Sequence, residues 1–247
     1  MWHRYSSVGF TRLASVVSVA AFVAAALVAA APAVTPAPAQ LLAQGSVSGR
    51  VSIQERPGEA TTDFSSTVIY LVPQDSASVR TRPTRTAITM NGRAFVPRVR
   101  VVTPGSRVDF PNQDPFSHNI FSSSSGATFD LGLYPAGKAK DALFRRPGAY
   151  AVYCNIHPRM TSFVVVAPSQ WFAQSGNDGR WSIENVPAGN YTLHVWHERA
   201  NATATPLVVL ATGLQGIASP IDARGFRFAE HKNKFGKEYD KTGKDRY

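Results

Sequence analysis

The stretch GAYAVYCNIHPRMTSFVVVA, residues 148–167, decides how the rest of the chain is read. GAYAVYC and SFVVVA are rich in β-branched and aromatic residues and read as two strands joined by a short turn around Pro158. The first strand ends on Cys154, the only cysteine in 247 residues, with His157 three positions later and Met160 three after that. A sulfur at the end of a strand sits at the edge of a sandwich, and the turn can curl His157 and Met160 back toward it.

Thiolate, imidazole and thioether are donors that suit copper, and a trigonal His₂Cys site with a weak axial Met is one arrangement they form. A second histidine must then come from another strand. His118 in VDFPNQDPFSHNIF (108–121) is the candidate, because it follows a Pro/Asn/Asp loop that can close a sandwich end, and Asn119 beside it could bond across to the ligand loop.

Working outward, the pattern is β throughout. GSVSGRVSI alternates Val47, Gly49, Val51 and Ile53 with polar residues, and STVIYLV follows from Ser66. Further strands are expected at AITM (87–90), RVRVV (98–102), RVDF (107–110), HNIFS (118–122), and around Trp181–Glu184 and Tyr191–His197. Residues 72–87 are polar, with Pro73, Pro83 and three arginines, and read as a loop. The expected fold class is all-β.

The segments VDFPNQDPFSHNIF, FDLGLYPAGKAKDALFRRPGAYAVYCNIHPRM and SFVVVA together resemble the cupredoxins, Greek-key β-sandwiches that carry one type 1 copper and pass single electrons. The likeness covers roughly residues 87–167, and the loop from Cys154 to Met160 is most similar to the short ligand loop of the amicyanins. The resemblance implies His118, Cys154 and His157 as strong copper ligands and Met160 as the axial one. It also implies redox protein partners docking near His157, at a rim of Ile156, Pro158, Pro115 and Phe116. Arg159 departs from the pattern by placing a charge where a partner would approach.

A second resemblance covers the flanks. GSVSGRV and DGRWSIENVPAGNYTLHV look like the two ends of a carboxypeptidase regulatory-like domain, a small transthyretin-type β-sandwich. The implied plan is one sandwich inserted in another: residues 45–75 and 176–226 form the outer domain, 85–168 the cupredoxin domain, and 229–247 a charged tail. A tandem arrangement, with the strand at 45–54 pairing into the cupredoxin sheet, is the alternative. Methylamine-utilisation-like proteins share this plan, and the likeness extends through HKNKFGKEY in the tail.

The N-terminus bears on location. His3, Arg4 and Arg12 precede an uncharged apolar stretch from about Leu13 to Ala31 and a small-residue run ending at Ala39, which reads as a secretory signal over 1–39. Left uncleaved, it would be a membrane contact. The expected location is the periplasm or another extracytoplasmic space. An odd cysteine in an exported chain calls for a special role, and a metal would protect it. The formal net charge of +10 suits an anionic protein or lipid surface. Nucleic acid is not expected as a partner of an exported chain.

Enzyme classes find little support, and a non-enzyme is expected. A binuclear copper centre needs a second cysteine, and a multicopper oxidase needs more than the six histidines present, one of which is in the leader. Neither a G-x-S-x-G nor a Walker-type loop occurs. His194 and His197 lie three apart on a strand and so should face opposite ways. His231 falls in a tail of six basic and four acidic residues from Glu230, expected to be mobile or draped, with its histidine free. Two functions stay open from the residues: an electron carrier, or a copper-storing, sensing or structural module whose flanking sandwich binds protein or glycan.

Overall fold

The computed structural model describes residues 44–75, 79 and 81–239. The expected leader over 1–39, and with it any membrane contact, lies outside the described residues. Among the described residues every regular helix-or-strand element is a strand, so the chain is all-β.

The first two strands are β1 (Gln44–Gln54) and β2 (Val68–Pro73). The middle segment begins with β3 (Arg85–Ala87), β4 (Thr89–Asn91), β5 (Ala94–Val96), β6 (Val99–Val102) and β7 (Ser106–Pro111). It continues with β8 (His118–Ser122), β9 (Phe129–Tyr134), β10 (Ala139–Phe144), β11 (Gly148–Cys154) and β12 (Thr161–Val166). Last come β13 (Phe172–Gln174), β14 (Arg180–Pro187), β15 (Gly189–Trp196), β16 (Thr203–Val209) and β17 (Leu214–Asp222).

Four main sheets stack face to face. The first has the order β14-β1-β17 and the second β13-β2-β15-β16; between them Val47, Ile69, Leu71, Trp181, Tyr191 and Leu193 make one core. The third, β6-β12-β11-β8-β9, packs on the fourth, β10-β7-β3, around Val108, Phe110, Ile120, Phe144, Val152 and Val164. A small third cluster, Val68, Val99 and Val165 with Tyr70, Phe163 and Trp196, lies between the second and third sheets.

Strand alternation explains how two sheets serve two cores each. Along β12, Val164 and Val166 enter the core shared with β7, while Phe163 and Val165 enter the small middle cluster. Along β2, Ile69 and Leu71 face β1's core, and Val68 and Tyr70 face the middle. Strands apolar on both faces read as near-continuous hydrophobic runs, as VIYLV and FVVV do. The middle cluster is edged by a fork: Arg98 donates from Nε and Nη2 to the two carboxylate oxygens of Glu198, each at 2.6 Å.

β1 pairs antiparallel with β14 and parallel with β17. At Gly49 the approach is too close for a side chain: a Cβ there would lie 2.1 Å from the Ile217 carbonyl oxygen.

Two expectations change. AITM is not one strand; Ile88 leaves the ladder, its N–H bonding the Asp109 carbonyl, so β3 follows β7 while β4 makes a hairpin with β5. The polar stretch 72–87 also carries strand at both ends, Val72-Pro73 in β2 and Arg85–Ala87 in β3. Strands β5, β9, β10, β13, β16 and β17 lack a sequence expectation. All but β5 lie at sheet edges, and β5 belongs to a two-stranded hairpin. Edge strands bury little and carry charge, so their apolar alternation is weak; Lys140 in β10 and the exposed Leu133 in β9 show it.

Candidate metal centre

β8 and β11 are neighbours in the five-stranded sheet, antiparallel, with Cys154 opposite Ile120. Residues directly opposite share a face, so Cys154, Ile120 and His118 two residues before it all point into the core between the third and fourth sheets. Because β8 begins where β11 ends, His118 and Cys154 meet at the same end of the sheet.

The turn that follows Cys154 returns the chain at once. Tyr153 pairs with Thr161, and beyond that pair the Cys154 N–H donates to the Met160 carbonyl at 3.2 Å. Met160 therefore stands opposite Cys154, and its side chain is buried in the same core. Inside the turn the Met160 N–H donates to the His157 carbonyl at 3.0 Å, and the Asn155 N–H to the Asn119 carbonyl at 2.8 Å.

His118 Nδ1 lies 3.4 Å from Cys154 Sγ, and His157 Nδ1 lies 3.5 Å from the same sulfur. All three donor atoms fall within 4.8 Å of one another. Ligands about 2.0–2.3 Å from a common ion, at angles of about 110–120°, stand roughly 3.5 Å apart, so this triangle fits one ion. Among the described residues no other group of three such side chains converges. His194 stacks on Tyr70, with ring centroids 4.8 Å apart, toward the middle cluster, and His197 is buried beyond the end of β15, so the two share no site.

His118 is fully buried and presents its other nitrogen, Nε2, to Asp114 Oδ2 at 2.8 Å. Asp114 is held by the N–H groups of Gly92 (2.6 Å) and Arg93 (3.0 Å) and by an Asx turn in which its own N–H donates to Asn112 Oδ1. Gly92 and Arg93 are the two residues of the β4–β5 hairpin turn, with φ of 64° and 56°. This is the type I′ pattern, with Gly-Arg at its centre and Asn91 as the last paired residue before it. Burial alone would raise the Asp114 carboxyl, but the bond from His118 and the two amides outweigh it and hold the group below the usual carboxylate range.

Burial pushes the Cys154 thiol up, against the pull of N–H groups from Ile156, Asn119 and His157. Burial, with His118 and Arg93 nearby, lowers His157 to about 4. At neutral pH both groups are therefore uncharged: the imidazole is a ready ligand, and the thiol must lose a proton to become one.

His157 opens to the surface in a recess lined by Arg93, Phe116, Ser117, Leu133, Ile156 and Pro158. Pro115 is not part of that rim; Leu133 and Arg93 are. The charge beside the recess is Arg93, 5.1 Å from the Phe116 ring centre, whereas Arg159 turns away over Phe228. Asn119 meets the ligand loop through its carbonyl, while its side-chain amide donates to Asp130.

The tail brings one correction. Through Tyr239 it lies over the ligand loop, the draped alternative, and His231 is not free. The His231 ring stacks on Tyr153 with centroids 4.4 Å apart, and its Nε2 lies 3.3 Å from the His157 carbonyl oxygen. The roles of Asp114 and Arg93, and the tail's contacts with the ligand loop, are absent from the sequence reading. An Asp four residues before His118 and an Asn-Gly at 91–92 were the available signals for the first two.

No family model matches the chain, and no curated protein matches it. Solved structures are similar to part of it, three of them as follows. A purple cupredoxin from Nitrosopumilus maritimus is 22% identical with a TM-score of 0.30, over 33% of this chain and 99% of that one. Amicyanin from Paracoccus versutus is 17% identical with a TM-score of 0.31, over 39% of this chain and 97% of that one. A Cu-containing nitrite reductase from Thermus scotoductus SA-01 is 23% identical with a TM-score of 0.32, over 38% of this chain and 26% of the reductase. By its own geometry, the chain is an all-β protein in which two imidazoles and one thiol converge at one end of a five-stranded sheet.

Proposed function

We propose that residues 85–168 are a cupredoxin-type domain holding one type 1 copper through His118, Cys154 and His157, with Met160 as axial ligand. On this reading the protein passes single electrons between redox partners outside the cytoplasm, and is not an enzyme. The observation that carries it is the convergence of His118 Nδ1, Cys154 Sγ and His157 Nδ1 on one buried point. The strands 45–75 and 176–226 form the outer, carboxypeptidase regulatory-like domain of the same proposal, and 1–39 its export signal.

Copper bound there would supply a one-electron couple, since a trigonal thiolate–imidazole set serves Cu(I) and Cu(II) without large ligand movement. The chain does the rest. Asp114 takes the Nε2 proton of His118 as a hydrogen bond and so leaves the Nδ1 lone pair facing the sulfur. Core residues around Cys154 keep water out. The recess beside His157 is where a partner would come close to an imidazole edge, with Phe116, Leu133 and Pro158 as its apolar rim and Arg93 as its charge.

The test is the absorption and EPR spectrum of the copper-loaded protein beside Cys154→Ser. An intense thiolate-to-copper band with reversible one-electron cycling, absent in the serine variant, is expected. No such band, or one that survives the substitution, overturns the assignment; a band with slow or irreversible reduction points instead to storage or sensing.

A further inference from the structure

The ligand loop is fastened from outside as well as from inside. Three contacts reach it from the C-terminal segment 228–239. The Tyr239 hydroxyl donates to the Cys154 carbonyl at 3.0 Å. The Lys234 N–H donates to Asn155 Oδ1 at 2.8 Å. The His231 ring sits within hydrogen-bond distance of the His157 carbonyl, as above.

Anchors on either side keep this segment in place. Lys234 Nζ reaches Asp130 Oδ2 at 2.7 Å on β9, and Asp130 in turn accepts from Asn119, whose carbonyl receives the Asn155 N–H. His231 is packed between Tyr153, Phe121 and Tyr239. At the near end the Arg159 guanidinium lies 5.5 Å from the Phe228 ring centre.

We propose that residues 228–239 are a strap that positions the metal loop: they hold the main chain of Cys154, Asn155 and His157 in its ligating shape before and after an ion binds. His157 and Met160 lie on the six-residue turn that follows Cys154, and such a turn has few internal bonds with which to keep its donors in register with the sulfur. Tyr239, Lys234 and His231 supply those bonds from outside. None of them lines the recess beside His157, so the strap fixes the loop without closing the way to its imidazole. A charged, Gly-containing segment with little to bury thereby has a reason to be ordered.

This inference adds to the copper reading, but its first test needs no metal. Tyr239→Phe removes one hydroxyl, His231→Ala removes the stacked ring, and a chain ending at Arg227 removes the strap whole. In the metal-free protein, amide hydrogen exchange of the peptide 154–160 is expected to quicken roughly three- to tenfold for each point variant and more for the truncation, as loss of single hydrogen bonds predicts. Thermal unfolding should stay near that of the parent, because the strap enters neither large core.

In the copper-loaded protein, the same variants should keep the thiolate band but shift its energy, and hand Cu(I) to a chelator several times faster. Unchanged exchange over 154–160 in both point variants overturns the strap. If the parent shows no thiolate–copper band, the copper assignment fails while the exchange measurement still decides the strap. Should the truncated chain not fold, the two point variants carry the test.

Discussion

His118 and Asp114 form a closed pair: the imidazole Nε2 lies 2.8 Å from the carboxylate, and both side chains are almost wholly buried. A carboxylate behind a metal-facing imidazole fixes the ring's tautomer and raises its basicity. Asp114→Asn keeps the shape and an acceptor oxygen but removes the negative charge. Copper(II) affinity should fall about 10- to 100-fold. The reduction potential should rise, because the lost charge favours Cu(II) over Cu(I). Competition titration and voltammetry check the two effects; an unchanged potential would show that the carboxylate does not act on the site.

Metal uptake should release a proton from Cys154. Burial raises its thiol, and His157, lowered to about 4, is already neutral above pH 5. Affinity should therefore climb with pH, by about tenfold per unit while the thiol stays protonated in the free protein. Calorimetry of Cu(I) binding in buffers of different ionisation enthalpy should count close to one proton per ion near neutrality. In Cys154→Ser the count should drop to about zero.

The Arg98–Glu198 fork joins the strand entering β6 to the residue two beyond β15, and Glu198 is mostly buried. Burial would lower Arg98, but the bond from Glu198 dominates and raises it. Glu198→Ala leaves a partly buried guanidinium without its partner and should cost about 1–3 kcal/mol in urea unfolding. The double variant with Arg98→Ala should recover part of that. Full additivity of the two single losses would argue against a coupled pair.

His197 should weaken the fold in acid. Burial first, then Arg199, lowers it to about 4, against about 6.5 for an unfolded chain. Between those values the unfolded state binds more protons than the folded one, so stability is lost as pH falls from about 6.5 toward about 4. His197→Asn can keep an acceptor for the Arg199 N–H, which lies 3.3 Å from Nδ1, yet does not titrate. Its urea midpoint should decline less between pH 7 and 5 than the parent's. Equal slopes would remove His197 as a cause.

How much of this was legible in the sequence follows from where each residue sits. VIYLV, HNIFS, GAYAVYC and SFVVVA announce strands because they are central in their sheets, and all but GAYAVYC are buried along most of their length. FDLGLY and AKDALF do not, because each lies at an edge and buries only one or two of its six residues fully. Cys154, His157 and Met160 are legible together because one turn joins them. Their contact with His118 needs only that two strands run antiparallel and share a face. His194 and His197 are told apart by the same alternation.

Covalent spacing and the two-residue period of a strand thus determined, from the sequence alone, the all-β class and the order in which potential donors arrive at one sheet end. Asp114 behind His118, Arg93 at the recess, the four-sheet stack and the tail over the ligand loop were decided only by tertiary structure. Asp114 and His118 are only four residues apart, but the contacts that hold them and the ligand loop span long separations, from the Gly92–Arg93 turn to Asp114 and from Tyr239 to Cys154. Local pattern offers at most a turn signal at 91–92 and an Asp near His118, not the contacts themselves. They exist because the folded chain must bury its apolar faces and partner each polar group it hides.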